Sequence, residues 1–143
     1  MQIEKSCGAV IFREFEGRNL FLILKHKAGH WDFSKGHVEG SESGIETAKR
    51  EAVEETGIGE LNFFEGFLER IGYFFKEGGI IHKKEVFFYL AKTSEEKVNL
   101  SFEHTAFEWL SYEDALNKVT FKNSKKVLKS AQEFLEKYKE SKK

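Results

Sequence analysis

The 143-residue sequence contains no proline, where average usage of about 5% would place about seven. Proline-rich linkers and collagen-like repeats are therefore excluded. Its single cysteine, Cys7, cannot form an internal disulfide. Followed by Ala9, Val10 and Ile11, it reads as a small buried hydrophobe in a reducing, cytoplasmic compartment. An excess of one charge is also lacking, because 23 Lys and Arg stand against 24 Asp and Glu. The strongly basic character of a general nucleic-acid binder is absent, so no obligate nucleic-acid partner is expected. Residues 1–6 are polar and the apolar run after them is broken by Arg13 and Glu14. Neither a signal peptide nor a membrane helix is expected, and the chain should be soluble with no membrane partner.

What remains is the material of one packed domain covering residues 1–143, with 40% hydrophobic residues and 15 Phe. Its near-neutral total hides a segregation. Residues 36–60 hold 2 basic against 7 acidic side chains, and residues 118–143 hold 9 against 3. The basic C-terminal stretch reads as the solvated face of a terminal helix. The acidic stretch needs a cation.

β-rich runs at residues 10–12 and 20–25 flank a charged, glycine-containing loop and predict a hairpin. After a loop over residues 27–40, helical spacing takes over at 43–56, with Ile45, Ala48, Ala52 and Val53 toward one side. Ser43 and Glu46 form a capping-box pattern, and Gly57 suits the left-handed position after a helix. Further β-like runs at 61–75 and 85–91 surround Gly78-Gly79, and 107–110 is a short strand. Ser111 with Asp114 starts a second helix, and residues 124–138 a third. The order β-β-α-β-β-β-α-α predicts an α/β (α+β) fold, a mixed sheet covered by helices.

Glu51, Glu54 and Glu55 fall at i, i+3 and i+4, on one helix face about 5–6 Å apart at Cβ. Each like-charge pair costs about 0.2–0.5 kcal/mol on an isolated helix, so the arrangement suits a bound cation. Hard divalent ions such as Mg²⁺ take carboxylate oxygens and keep waters for substrate phosphates; Mn²⁺ accepts the same ligands. Standing alone, such a face would read as a solvated surface partly neutralised by Lys49 and Arg50. Upstream, however, Lys35-Gly36-His37 and Gly40 bring backbone carbonyls and an ammonium group close to it.

The run Gly36, Glu42, Arg50-Glu51, Glu54-Glu55, Gly57, Ile58 resembles the 23-residue Nudix box (36–58), with Ala52 where a bulkier aliphatic residue is commoner. The resemblance implies a Nudix-type α/β/α sandwich that hydrolyses a nucleoside diphosphate linked to another group. It places Glu51, Glu54, Glu55 and the Gly36 carbonyl around Mg²⁺ or Mn²⁺, and has Arg50 orient a glutamate. Glu54 is the expected general base, with Glu51 the alternative.

Beyond the box, four stretches are similar to the asymmetrical diadenosine tetraphosphate hydrolases of that family. They are residues 7–12, His30-Trp31 leading into 35–39, residues 65–67, and Glu103-His104 with Phe107, Trp109 and Leu110. This similarity implies a further metal ligand at Glu103, an adenine stacked between Tyr73 and Phe121, and polyphosphate contacts from His30, Lys35 and one of Lys83 and Lys84. Strand alternation lets only one of those two lysines face the site, and Lys84 is preferred. The implied reaction cuts diadenosine tetraphosphate into ATP and AMP. The alternatives are another Nudix substrate (a nucleoside triphosphate, ADP-ribose or a 5′-triphosphorylated RNA end) and a non-catalytic nucleotide-binding module. A proline commonly precedes the Lys-Gly pair in the resembling enzymes; here that place is Ser34.

Overall fold

The computed structural model describes residues 2–142. Its elements in chain order are β1 (Gln2–Phe15), β2 (Arg18–His26), β3 (Trp31–Asp32), β4 (Ser34–His37), α1 (Gly44–Thr56), β5 (Asn62–Phe63), β6 (Glu69–Glu77), β7 (Ile80–Lys92), β8 (His104–Leu110), α2 (Tyr112–Lys118) and α3 (Lys122–Ser141).

The eight strands form one mixed sheet with β1 at its centre. On one side β1 runs parallel to β7 from Gln2↔His82 to Phe12↔Lys92. On the other side it is shared. Ser6–Ala9 pair with β4, while Phe12–Phe15 pair with β2. Strand β2 then leaves β1 and pairs with β3 at Leu24↔Asp32 and Lys25↔Trp31. Segment 31–37 therefore sits where β1 and β2 diverge, which is how it reaches α1. Strand β8 follows the outer edge of β2, and β6 follows the outer edge of β7.

Alternation along the strands fills both faces. Val10, Phe12, Phe21, Ile23, Phe88 and Leu90 pack with Val127, Leu128 and Ala131 of α3. Ala9, Ile11, Leu22 and Leu24 pack with Ala48 and Ala52 of α1. The result is a single α/β/α layered domain.

Three expectations need correction. The stretch 27–40 is not all loop, because its polar residues are recruited as β3 and β4 by pairing with β2 and β1. The run 61–75 divides into β5 and β6 around Gly66, whose φ of 93° no strand accommodates. On α1, Ile45 and Val53 are exposed, and the inner face carries Thr47, Ala48, Ala52, Glu55 and Thr56. Small side chains let this helix lie close on β1 and β4, and that approach carries a glutamate inward.

Candidate active site

The box is built by hydrogen bonds close in sequence. Ser43 caps α1 reciprocally: its hydroxyl accepts from Glu46 N, and its own amide donates to Glu46 Oε1 at 2.8 Å. Gly57 ends the helix at φ 76° and donates to Val53 O at 2.9 Å. Arg50 is the hub. Its Nε donates to Glu42 Oε2 at 2.8 Å and its Nη2 to Glu42 Oε1 at 3.1 Å, a two-pronged pair. The remaining donors reach His37 O at 2.9 Å, Glu51 Oε1 at 2.9 Å and Glu54 Oε2 at 3.2 Å. Glu42 also accepts from Thr47 Oγ1 and the Glu39 amide. These bonds, Arg50's first, hold the Glu42 carboxyl down at about 2. One guanidinium thus ties the loop, through Glu42 and the His37 carbonyl, to the helix and sets Glu51 and Glu54.

Glu51, Glu54 and Glu55 have different surroundings. Glu55 is buried, 5% exposed, and accepts the Lys35 amide at 3.1 Å. Burial first, then the charge of Glu51, pushes its carboxyl up to about 8. Burial also raises Glu51, against the pull of Arg50. The Glu54 side chain is 57% exposed. Gly36 lies so close to Glu51 that a Cβ there would stand 2.0 Å from its carboxyl carbon, so only glycine admits the carboxylate.

A cleft of about 510 Å³ opens beside these groups. It is lined by Gly36, Glu51, Glu55 and Glu103, and also by His30, Lys35, Tyr73, Lys84 and Phe121. Arg50 and Glu54 do not line it; Glu54 stays at the rim on the Arg50 guanidinium. Lys84 is half-buried in the cleft, while Lys83 lies outside it near Glu85. Burial and the charge of Lys35 lower Lys84. Tyr73 and Phe121 are 45% and 46% exposed and border a second cavity of about 440 Å³ with an apolar floor of Ile71 and Val86.

Phe121 reaches the cleft because the α2–α3 connection is bonded to β3. Thr120 N donates to Trp31 O at 3.0 Å, and Trp31 N donates to Thr120 Oγ1 at 2.8 Å. Asp32 joins the same corner: Oδ1 accepts from the Phe33 amide at 2.8 Å and Ser124 Oγ at 2.9 Å, and Lys35 Nζ stands 3.5 Å from Oδ2. Asp32 and His26 also line the cleft and were not read from the sequence, and His104, named there only as part of a resembling stretch, lines it too. Asp32 stands next to Trp31 and three places before Lys35, but neither spacing signals a role. His26 and His104 become neighbours only through the β2–β8 ladder, where they stand opposite each other.

The chain matches the NUDIX domain family over residues 4–131. It belongs to the Nudix family. It is 38% identical to the asymmetrical bis(5′-nucleosyl)-tetraphosphatase of Sus scrofa, across 92% of this chain and 95% of that protein. A solved C. elegans Ap4A hydrolase binary complex is 32% identical with a TM-score of 0.82, over 92% of this chain and 97% of that one. The E. coli dihydroneopterin triphosphate pyrophosphohydrolase, 17% identical with a TM-score of 0.72 over 91% and 97%, shares the fold. This Nudix chain is a hydrolase of pyrophosphate bonds, acting on a nucleotide substrate. No helix of the described residues is long and apolar enough to cross a membrane.

Nudix hydrolases generally use divalent metal ions. Among the described residues, no three His, Cys, Asp or Glu side chains form a ready metal-binding group. The donor chemistry nonetheless fits a hard cation. Glu51 and Glu55 place two carboxylates side by side, one of them buried, and the glycine cradle seats one of them. A divalent cation would offset the burial that raises both carboxyls, and the Glu51 charge that adds to it at Glu55.

Proposed function

We propose that this Nudix hydrolase cleaves a dinucleoside polyphosphate, diadenosine tetraphosphate first among them, into ATP and AMP. The observation that carries the reading is the composition of one cleft, where box carboxylates, two lysines and two half-exposed aromatic rings meet. Such a substrate has a long anionic chain between flat bases, and this lining pairs with each part of it. The Sus scrofa and C. elegans relatives support the same choice.

Gly36 O, Glu51, Glu54, Glu55 and Glu103 would hold Mg²⁺, or Mn²⁺ in its place, which would polarise phosphoryl oxygens and acidify a water. Glu51 and Glu54 are the candidate proton acceptors. Glu51 is favoured because it lines the cleft, whereas Glu54 sits at the rim. Water adds to a phosphorus, its proton passes to the Glu51 carboxylate, and the bond to the bridging oxygen breaks. Arg50 orients both glutamates through Nη1. Lys35 and Lys84, with an N–H of His30, receive negative charge along the phosphate chain. Tyr73 and Phe121 hold a base by stacking, worth about 1–3 kcal/mol and tolerant of base identity. A reducing, cytosolic setting fits the fully buried thiol of Cys7.

The test is incubation in Mg²⁺ with diadenosine tetraphosphate, nucleoside triphosphates, ADP-ribose and triphosphorylated RNA, with products identified by chromatography. ATP and AMP in equal amounts are expected from the first. Cleavage of ADP-ribose or RNA ends with the tetraphosphate untouched would replace the substrate. Nucleotide binding with no product from any of them would make the chain a binding module.

A further inference from the structure

Around the turn between β2 and β3 stands a group of four rings, of which His26 and His104 have no part in the proposed reaction. In the β2–β8 ladder His26 stands opposite His104, just where the register shifts between Lys25 and His26. The His26 ring lies flat on His30, with centroids 4.6 Å apart and planes 9° from parallel. His104 meets His26 edge-on at 5.6 Å and 87°. His30 in turn lies 5.3 Å from the Phe121 ring. All four rings line the cleft.

The backbone fixes this group from beneath. His26 N donates to His30 O at 2.8 Å, and Gly29 N donates back to His26 O at 2.7 Å. Ala28 N donates to His26 Nδ1 at 3.0 Å, so this ring nitrogen is the acceptor and a neutral His26 carries its proton on Nε2. The His26 ring is thereby held by an amide at one edge, by the perpendicular ring of His104, and by the face of His30. Lys27, in the same turn, donates its amide to Glu103 O at 2.9 Å, which anchors the residue before His104. A side chain fixed before binding loses no freedom when the ligand arrives, and affinity rises accordingly.

We propose that His26 is a positioning residue of the cleft, holding the His30 ring, and through it Phe121, in the orientation that receives the nucleotide. The proposal rests on the reading of this cleft as a nucleotide site. It does not depend on which nucleotide is cleaved.

The test uses the full chain with His26→Ala, His26→Phe and wild type. Three readouts are the ring-current shifts of His30 and Phe121 protons in the ligand-free protein, the Kd for ATP in Mg²⁺, and KM and kcat for diadenosine tetraphosphate. In His26→Ala the shifts should collapse, Kd and KM should each rise about fivefold, and kcat should stay within about twofold, from the ordering cost returned to binding. His26→Phe keeps a flat ring and should restore all three. Should His26→Ala not fold, His26→Leu, which fills the space without a flat ring, replaces it. Unchanged shifts and affinities in His26→Ala, or a folded His26→Phe as weak as His26→Ala, would overturn the positioning role. A wild type that binds ATP but does not cleave the tetraphosphate would overturn the substrate reading instead, while the ring shifts and the Kd still decide the role of His26.

Discussion

Between residues 34 and 57 the charged side chains that define the box are bound to other groups of the same stretch. Arg50 alone engages Glu42, Glu51, Glu54 and the His37 carbonyl, and the helix is capped at both ends. Tyr73, Lys84 and Phe121 are placed differently. Tyr73 and Lys84 stand opposite each other in the β6–β7 ladder, and Phe121 arrives from beyond α2, held through Trp31 and Thr120. Both aromatic rings remain about half exposed and have no bond to the box. The first region is over-determined and can hold carboxylates against their mutual repulsion. The second is assembled from distant segments, and its rings stay open on one side to a flat ligand.

That division predicts unequal mutational effects. The largest loss is expected from Glu51→Gln, about a thousandfold in kcat with the fold intact by circular dichroism. Glu54→Gln should lose at least tenfold less, and the opposite order would move proton acceptance to the rim. Gly36→Ala comes next, at about a hundredfold in kcat/KM, since a methyl group 2.0 Å from the Glu51 carboxyl carbon must displace it. Activity equal to wild type would mean that Gly36 does not seat the Glu51 carboxylate. In the other region, Tyr73→Ala and Phe121→Ala should each raise KM about tenfold and leave kcat within a few-fold, in line with stacking worth about 1–3 kcal/mol. A fall in kcat alone would mean that these rings do not serve binding.

The over-determined region also has a pH signature. The Glu55 carboxyl, near 4.5 when unfolded and raised to about 8 in the fold, keeps its proton in the native state across an interval where the unfolded chain has lost it. The native state then binds more protons, so metal-free stability should fall between pH 4.5 and pH 8, by roughly 1 kcal/mol per pH unit at most. Mg²⁺ held by the Glu55 carboxylate would displace that proton, so the rise in Tm on adding Mg²⁺ should grow from pH 6 to pH 8. Thermal melts with and without Mg²⁺, beside Glu55→Gln, check this; equal slopes in wild type and variant would detach it from Glu55. The smallest effect is expected from Ser34→Pro. Ser34 is the first residue of β4, a place a strand allows proline. A gain of about 0.5–1 kcal/mol with activity kept would come from the stiffer unfolded chain. Loss of activity would show that the residue 34 amide is needed in the β1 pairing.

The contrast also explains what could be read in advance. The capping pair Ser43 and Glu46, the stop at Gly57 and the glutamate spacing depend on residues a few places apart, so one helix and its acidic face were legible in the chain. Which carboxylate enters the cleft was not legible, because Arg50 and the close approach of α1 to β4 decide it. The same approach exposes Ile45 and Val53, which hydropathy alone assigned inward. His26 and Asp32 carried no local pattern, and His104 stood in a resembling stretch that gave it no role. Their neighbours are supplied by the β2–β8 ladder and by Ser124 of α3.

The central strand has one further consequence, for the order in which the protein is made. Each β1 residue from Gln2 to Phe12 meets its β7 partner 80 positions later, as Gln2 meets His82 and Phe12 meets Lys92. Closing so long a loop precedes any return from the ladder it allows, so this pairing forms slowly and late. A nascent chain that has exposed α1 but not β7 has the box glutamates but neither the parallel neighbour of β1 nor Lys84. Ribosome-bound chains ending before Ile80 should therefore have no hydrolytic activity, and the cell's nucleotides meet this enzyme only once its lysines and aromatic rings are in place.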